Sequence, residues 1–178
     1  SGEPADILSA AAVILPGVGS GNSAMEALRR KQLTEPIREF ITSGRPFMGI
    51  CLGLQLLMDF TKEGGTECLG IVPGTVDHLP SGIKVPHMGW NQVKINREHR
   101  LMRGITQNSY FYFAHSYYVK PVNENFVLGT TSYGVDFCSI LAMDNILATQ
   151  FHPEKSGSIG LKLYSNFVEH VCVGKSNT

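Results

Sequence analysis

The chain has 178 residues, ordinary for one domain and too few for two comfortable ones, and it is 43% apolar and 17% charged, a balance that supports a packed core and argues against disorder. Lys and Arg number 15, as do Asp and Glu, and the densest basic run, Arg29-Arg30-Lys31, falls on a predicted helix and reads as a solvated face, against nucleic-acid binding. No apolar run approaches the ~20 residues that span a bilayer, and no signal peptide is visible, so a cytoplasmic protein is expected.

The opening residues are polar and read as loop. The first predicted strand, Ala11 to Leu15, is stopped by Pro16-Gly17-Val18-Gly19. A helix follows over about Asn22 to Gln32. Thr34 is placed as the N-cap of a second helix, with Pro36 in its first turn and Gly44 at its end. Pro46 to Ile50 is a second apolar strand, with a helix predicted behind it over Leu52 to Thr61. This alternation implies an α/β fold with a mostly parallel sheet flanked by helices. Strands are then expected at Thr75 to Leu79, Asn91 to Ile95, Tyr110 to Ser116, Val127 to Ser132, Cys138 to Met143 and Ile146 to Phe151. Asp144-Asn145 is a hairpin turn between the last two. A closing helix over about Ser158 to Val173 turns Ile159, Leu163, Phe167 and Val171 toward the sheet.

Chemistry concentrates at two strand ends. Gly49-Ile50-Cys51-Leu52-Gly53 has the form G-x-C-x-G, the thiol version of a nucleophile elbow. A strand that turns sharply into a helix leaves Cys51 at the tip, and the crowding calls for glycines beside it. A helix N-terminus there would favour the thiolate. The bland alternative is a buried structural cysteine between close-packed glycines.

His152-Pro153-Glu154 follows the strand Ile146 to Phe151. Pro153 holds His152 extended, and residues two apart in an extended segment share a side, so Glu154 can orient one ring nitrogen while the other faces Cys51. For the oxyanion, the N–H of Leu52 is one donor, and the Val18-Gly19 peptide in the first glycine-rich loop is the candidate for the second. Gln55, one turn past Cys51, and Glu63, which could hold an ammonium group, are pocket candidates. Cys51, Cys68, Cys138 and Cys172 form no C-x-x-C pair and read as reduced thiols, without a metal site. No phosphate loop or dinucleotide fingerprint appears, so no cofactor is expected.

With these residues in place, the chain resembles the class I (triad) glutamine amidotransferases, which have a flavodoxin-like fold. More closely it resembles the HisH-type glutaminase subunits of imidazole glycerol phosphate synthase. The stretches that carry the resemblance are Leu15 to Gly19, Gly49 to Gln55, Lys84 to Asn91, Tyr112 to Tyr117 and Gln150 to Ser156. The cysteine and His-Pro-Glu motifs mark the class; Val85-Pro86-His87-Met88-Gly89-Trp90-Asn91 is far more specific to these subunits. The similarity runs from Ala11 to Val168.

The resemblance implies Cys51 as nucleophile, His152 as base and acid, and Glu154 as its orienter. It places glutamine against Gln55, Glu63, Ser116 and Tyr117. It puts Trp90 and Asn91 near a heterodimer interface with a HisF-type (β/α)8 cyclase subunit. Since such folds start with a further strand, glycine-rich turn and helix, the resemblance also implies that the first β-α pair is lacking from residues 1–178, read as one N-terminally short amidotransferase domain. The expectation that follows is poor stability or activity of the chain alone.

Three rival readings stay open. One is a class I glutaminase serving anthranilate, pyridoxal phosphate or GMP synthesis. Another is a truncated, non-catalytic docking subunit. The third is a cysteine hydrolase on a related fold.

Overall fold

The structure is a computed structural model that describes residues 2–174, with side chains through His170. A seven-stranded sheet forms its centre. In chain order its strands are β1 (Val13–Gly17), β2 (Phe47–Cys51), β6 (His87–Ile95), β7 (Ser109–His115), β9 (Val127–Ser132), β10 (Asp136–Met143) and β11 (Ile146–Thr149). They lie in the order β1-β2-β11-β10-β9-β6-β7. The expected parallel arrangement holds for β1, β2 and β11. Beyond β11 the pairing is antiparallel, so the sheet is mixed. A second, smaller sheet joins β3 (Phe60–Thr61), β4 (Thr66–Glu67), β5 (Gly74–His78) and β8 (Tyr117–Pro121).

Period-two alternation sends neighbours on the central strands into two cores. Phe47, Leu141 and Ala148 belong to the first, under helices α2 (Gly21–Arg30) and α3 (Thr34–Thr42). Met48, Ile140 and Leu147 belong to the second, with Leu163 and Phe167 of α5 (Gly157–Gly174). Ile159 packs at the edge of this second core, whereas the side chain of Val171 lies outside the described residues. All five residues of β2 are buried, as befits an inner strand covered on both faces.

Four expectations are corrected. The opening segment is not loop: Pro4–Ser9 forms a helix, α1, packed against α3. Thr34 does not cap its helix. Leu33 takes the cap position without a side-chain bond, because its N–H closes back onto Leu28 O and its side chain is buried. The helix after Cys51, α4, spans only Leu52–Gln55. Its continuation is blocked because the carbonyls of Leu56, Leu57 and Met58 are taken by the N–H groups of residues 69–72. Tyr117–Pro121, not foreseen as a strand, pairs with β5. The hairpin turn at Asp144 and Asn145 forms as expected between β10 and β11.

Candidate active site

The elbow depends on close backbone approach. A Cβ on Gly53 would collide with the carbonyl of Leu15 on β1, and one on Gly49 would meet the Gly53 backbone at 2.9 Å. The turn so formed holds Cys51 at φ 53°, ψ −106°, a conformation that L residues rarely adopt. The residue is 6% exposed. Sγ lies 3.9 Å from Ala114 O and 3.6 Å from Gln150 Nε2.

Burial pushes the Cys51 thiol up to about 11, although the N–H of Leu52 pulls the other way; Glu154 adds to the rise, and Gln150 and Lys155 oppose it. The expectation of a thiolate favoured by a helix N-terminus is therefore corrected. A four-residue helix has little dipole to offer, and desolvation wins.

His152 is buried at the end of β11, and its N–H is tied to Tyr112 O at 2.8 Å. Its Nδ1 meets Glu154 Oε1 at 2.7 Å. The contact forms through a 3-10 turn over Pro153–Lys155, not through the extended segment expected from the sequence. With Nδ1 engaged by the carboxylate, Nε2 is the nitrogen left for proton transfer. Among the described residues His152 makes no hydrogen bond to Sγ, an arrangement common before substrate binds.

Both groups open into one cavity of about 300 Å3. Val18, Gly19, Leu52, Gln55, Glu63, Ser116 and Tyr117 line it as well, so every residue expected at the oxyanion or substrate reaches the same space. Val18 is 81% exposed, and Gly19 has φ 93°. Glu63 Oε2 accepts from Gly21 N at 2.6 Å, which ties the start of α2 to the cavity wall. A larger cleft of about 740 Å3, around Arg97, His99, Arg100 and Arg103, contains none of the motif residues.

Trp90 and Asn91 part company. Trp90 is 55% exposed and lies beside Tyr112 on the outer face of the β6–β7 hairpin, with Met88 and Tyr110 also exposed. Asn91 is half-buried and turned the other way, donating through Nδ2 to Ser132 O at 3.1 Å and meeting His87 Nε2 at 3.3 Å. The two side chains of the segment expected near a partner thus point to opposite faces of the strand, as alternate strand residues do.

Sequence reasoning gave no role to three further residues near the site: Gln150, His87 and His115. All three are buried, and His115 lines the cavity. Gln150 stands in the His-Pro-Glu stretch and His87 in the specific Val85 to Asn91 segment, but neither position signals a contact by itself.

The model of class-I glutamine amidotransferases matches residues 4–171. A Dehalococcoides mccartyi protein named imidazole glycerol phosphate synthase subunit HisH is 54% identical over 93% of this chain and 81% of its own length. The chain belongs to this family, on its HisH branch. HisH subunits of Moorella thermoacetica and Methanocaldococcus jannaschii are each 50% identical, over 95% and 92% of this chain and 81% and 83% of their own lengths. A crystal structure of a glutamine amidotransferase superposes with a TM-score of 0.73 at 18% identity, covering 96% of this chain and 84% of that one, and supports the class I amidotransferase fold. Among the described residues, no helix of this HisH-branch chain is long and apolar enough to cross a membrane.

Proposed function

We propose that this single glutaminase domain hydrolyses the side-chain amide of glutamine through Cys51, His152 and Glu154. It passes the ammonia to a HisF-type (β/α)8 synthase subunit that makes imidazole glycerol phosphate, in the cytoplasm. The observation that carries this reading is the shared cavity, where the thiol and the Glu154-oriented imidazole face the same set of polar residues.

Glutamine binds with its ammonium on Glu63, whose second oxygen stays available beside the bond to Gly21, and with its carboxylate toward Ser116 and Tyr117. His152 takes the thiol proton, and Sγ attacks the carboxamide carbon. The oxyanion is met by the N–H of Leu52 and by the Val18-Gly19 peptide. The C–N bond then breaks as His152 returns the proton to the leaving nitrogen, giving ammonia and a γ-glutamyl thioester on Cys51. Water, activated by His152, adds to the thioester carbon; the C–S bond breaks and glutamate leaves.

The sequence holds no phosphate loop or dinucleotide fingerprint for an acceptor that could use the ammonia, which supports a partner. The exposed Met88, Trp90 and Tyr110 face, continuous with the cavity mouth at Met88, is the surface proposed to receive the barrel. Assay of glutamate release with and without the barrel subunit and its nucleotide tests the reading. Turnover is expected with the partner and should vanish in Cys51→Ala; retained turnover in that variant would refute the triad.

A further inference from the structure

Gln150 is fully buried and belongs to a chain of polar groups whose directions can be assigned from one fixed point. Tyr117 O can only accept. It receives His115 Nδ1 at 2.8 Å, so that nitrogen carries the hydrogen. Burial holds both His115 and His87 down to about 4, so both rings are neutral near pH 7. His115 Nε2 is therefore an acceptor, and the His87 Nδ1 that meets it at 3.0 Å must be the donor. His87 Nε2 in turn accepts from Asn91 Nδ2.

The other branch starts at the same carbonyl. Gln55 Nε2 donates to Tyr117 O at 3.0 Å and, with its second hydrogen, to Gln150 Oε1 at 3.2 Å. That fixes the Gln150 amide: its oxygen faces Gln55, and its NH2 faces Cys51 Sγ at 3.6 Å. We propose that Gln150 is a side-on donor to the sulfur, distinct from the oxyanion donors, and that the relay Asn91–His87–His115–Tyr117–Gln55 aims it. Gln150 touches the reacting atom and is catalytic; His87 acts through others and is a positioning residue.

The contact matters because the sulfur is desolvated. Glu154 opposes charge on the sulfur, and the neutral His115 supplies none; Lys155 favours it, as does Gln150. A donor held against a buried anion is worth more than one in water, and the bond tightens as charge develops. The relay also runs from the inner side of β6, the strand that presents Trp90 outward, to the nucleophile.

The proposal rests on Cys51 as the attacking thiol, but its test does not use glutamine. Iodoacetamide alkylation of Cys51 in the full chain, followed by mass spectrometry of its peptide from pH 7 to 10, reads the thiolate population. Gln150→Met should be alkylated about three- to fourfold more slowly at each pH below the thiol's pKa, the net of a thiol pKa about one higher and the greater nucleophilicity of the more basic thiolate. A side chain that only fills space would leave the rate unchanged or raise it by opening the site, and either result overturns the proposal.

His87→Phe keeps the stack on Tyr133, 3.9 Å away between ring centroids, but removes the donor to His115. It should slow alkylation about twofold, because His115 and the Tyr117 carbonyl that orients Gln55, and through it Gln150, are then held less firmly. His87→Asn, which restores an N–H near Nδ1, should recover the rate. Unchanged alkylation in His87→Phe would remove the relay, and this pair decides the question if Gln150→Met fails to fold. Failure of the triad reading would show separately, as glutamine turnover in Cys51→Ala.

Discussion

Exchanging Glu154 for Gln should slow glutamine hydrolysis about 30-fold while making Cys51 no harder to ionise. The swap is nearly isosteric. The amide oxygen can still accept from His152 Nδ1, so the tautomer survives and only the charge is lost. Unit charges 4 Å apart are worth about 4 kcal/mol at an effective dielectric near 20 and about 1 kcal/mol in water. The Glu154 side chain is 46% exposed and that of His152 only 4%. A value between those limits, about 2 kcal/mol, is the stabilisation the imidazolium loses, which corresponds to roughly 30-fold in rate.

The sulfur responds in the opposite sense. Burial is the main cause of its high pKa, but the Glu154 charge adds to it, so the variant's thiol ionises slightly more easily. Turnover should therefore fall while alkylation of Cys51 holds or rises. Steady-state glutamate release with the barrel partner present, set beside iodoacetamide labelling of the same preparation, checks both. Turnover within threefold of the parent, or a parallel drop in labelling, would refute the assignment of Glu154 as a charge partner of His152.

Other consequences follow from the same geometry. Because His87 and His115 sit at about 4 when folded and near the ordinary 6.5 when unfolded, the unfolded chain takes up their protons first as pH falls. Their contribution to stability is thus complete above about pH 6.5 and lost progressively toward pH 4. Thermal melts should show the midpoint falling across that window, less steeply in His87→Asn. Trp90→Ala should weaken barrel binding about 30-fold, as expected for a buried aromatic anchor, with the melting midpoint of the isolated chain barely moved; titration calorimetry distinguishes the two. Glu63→Gln keeps an acceptor for Gly21 N but loses the charge for the ammonium, so KM for glutamine should rise roughly tenfold with kcat nearly kept. Glu63→Ala also frees the start of α2, so kcat should fall as well; identical kcat in the two variants would remove the second role.

What could be read from the sequence was chemistry with a local cause. Gly49 and Gly53 announce the elbow because the collisions they avoid, with each other and with Leu15, are built into any strand that turns this sharply into a helix. His152 and Glu154 are neighbours along the chain, so their contact needs no fold to foresee it, even though it forms through a 3-10 turn. The β1, β2 and β11 strands were readable for a similar reason. Each is a short apolar run that ends in a glycine-rich loop, a nucleophile or a base, and their parallel pairing puts those ends on one edge.

What stayed hidden had distant causes. Leu52 to Thr61 has a helical pattern, yet the segment 69–72 claims the carbonyls of Leu56, Leu57 and Met58, and no local rule weighs that competition. The sign of the Cys51 shift was misjudged for a related reason: a helix N-terminus is visible in a pentapeptide, whereas burial is contributed by the whole domain. Asn91 shows how one residue of register sends a side chain to the other face, for its neighbour Trp90 faces out while Asn91 reaches inward to His87. That inward turn places the start of the Gln150 relay behind the same strand that presents Met88 and Trp90 outward.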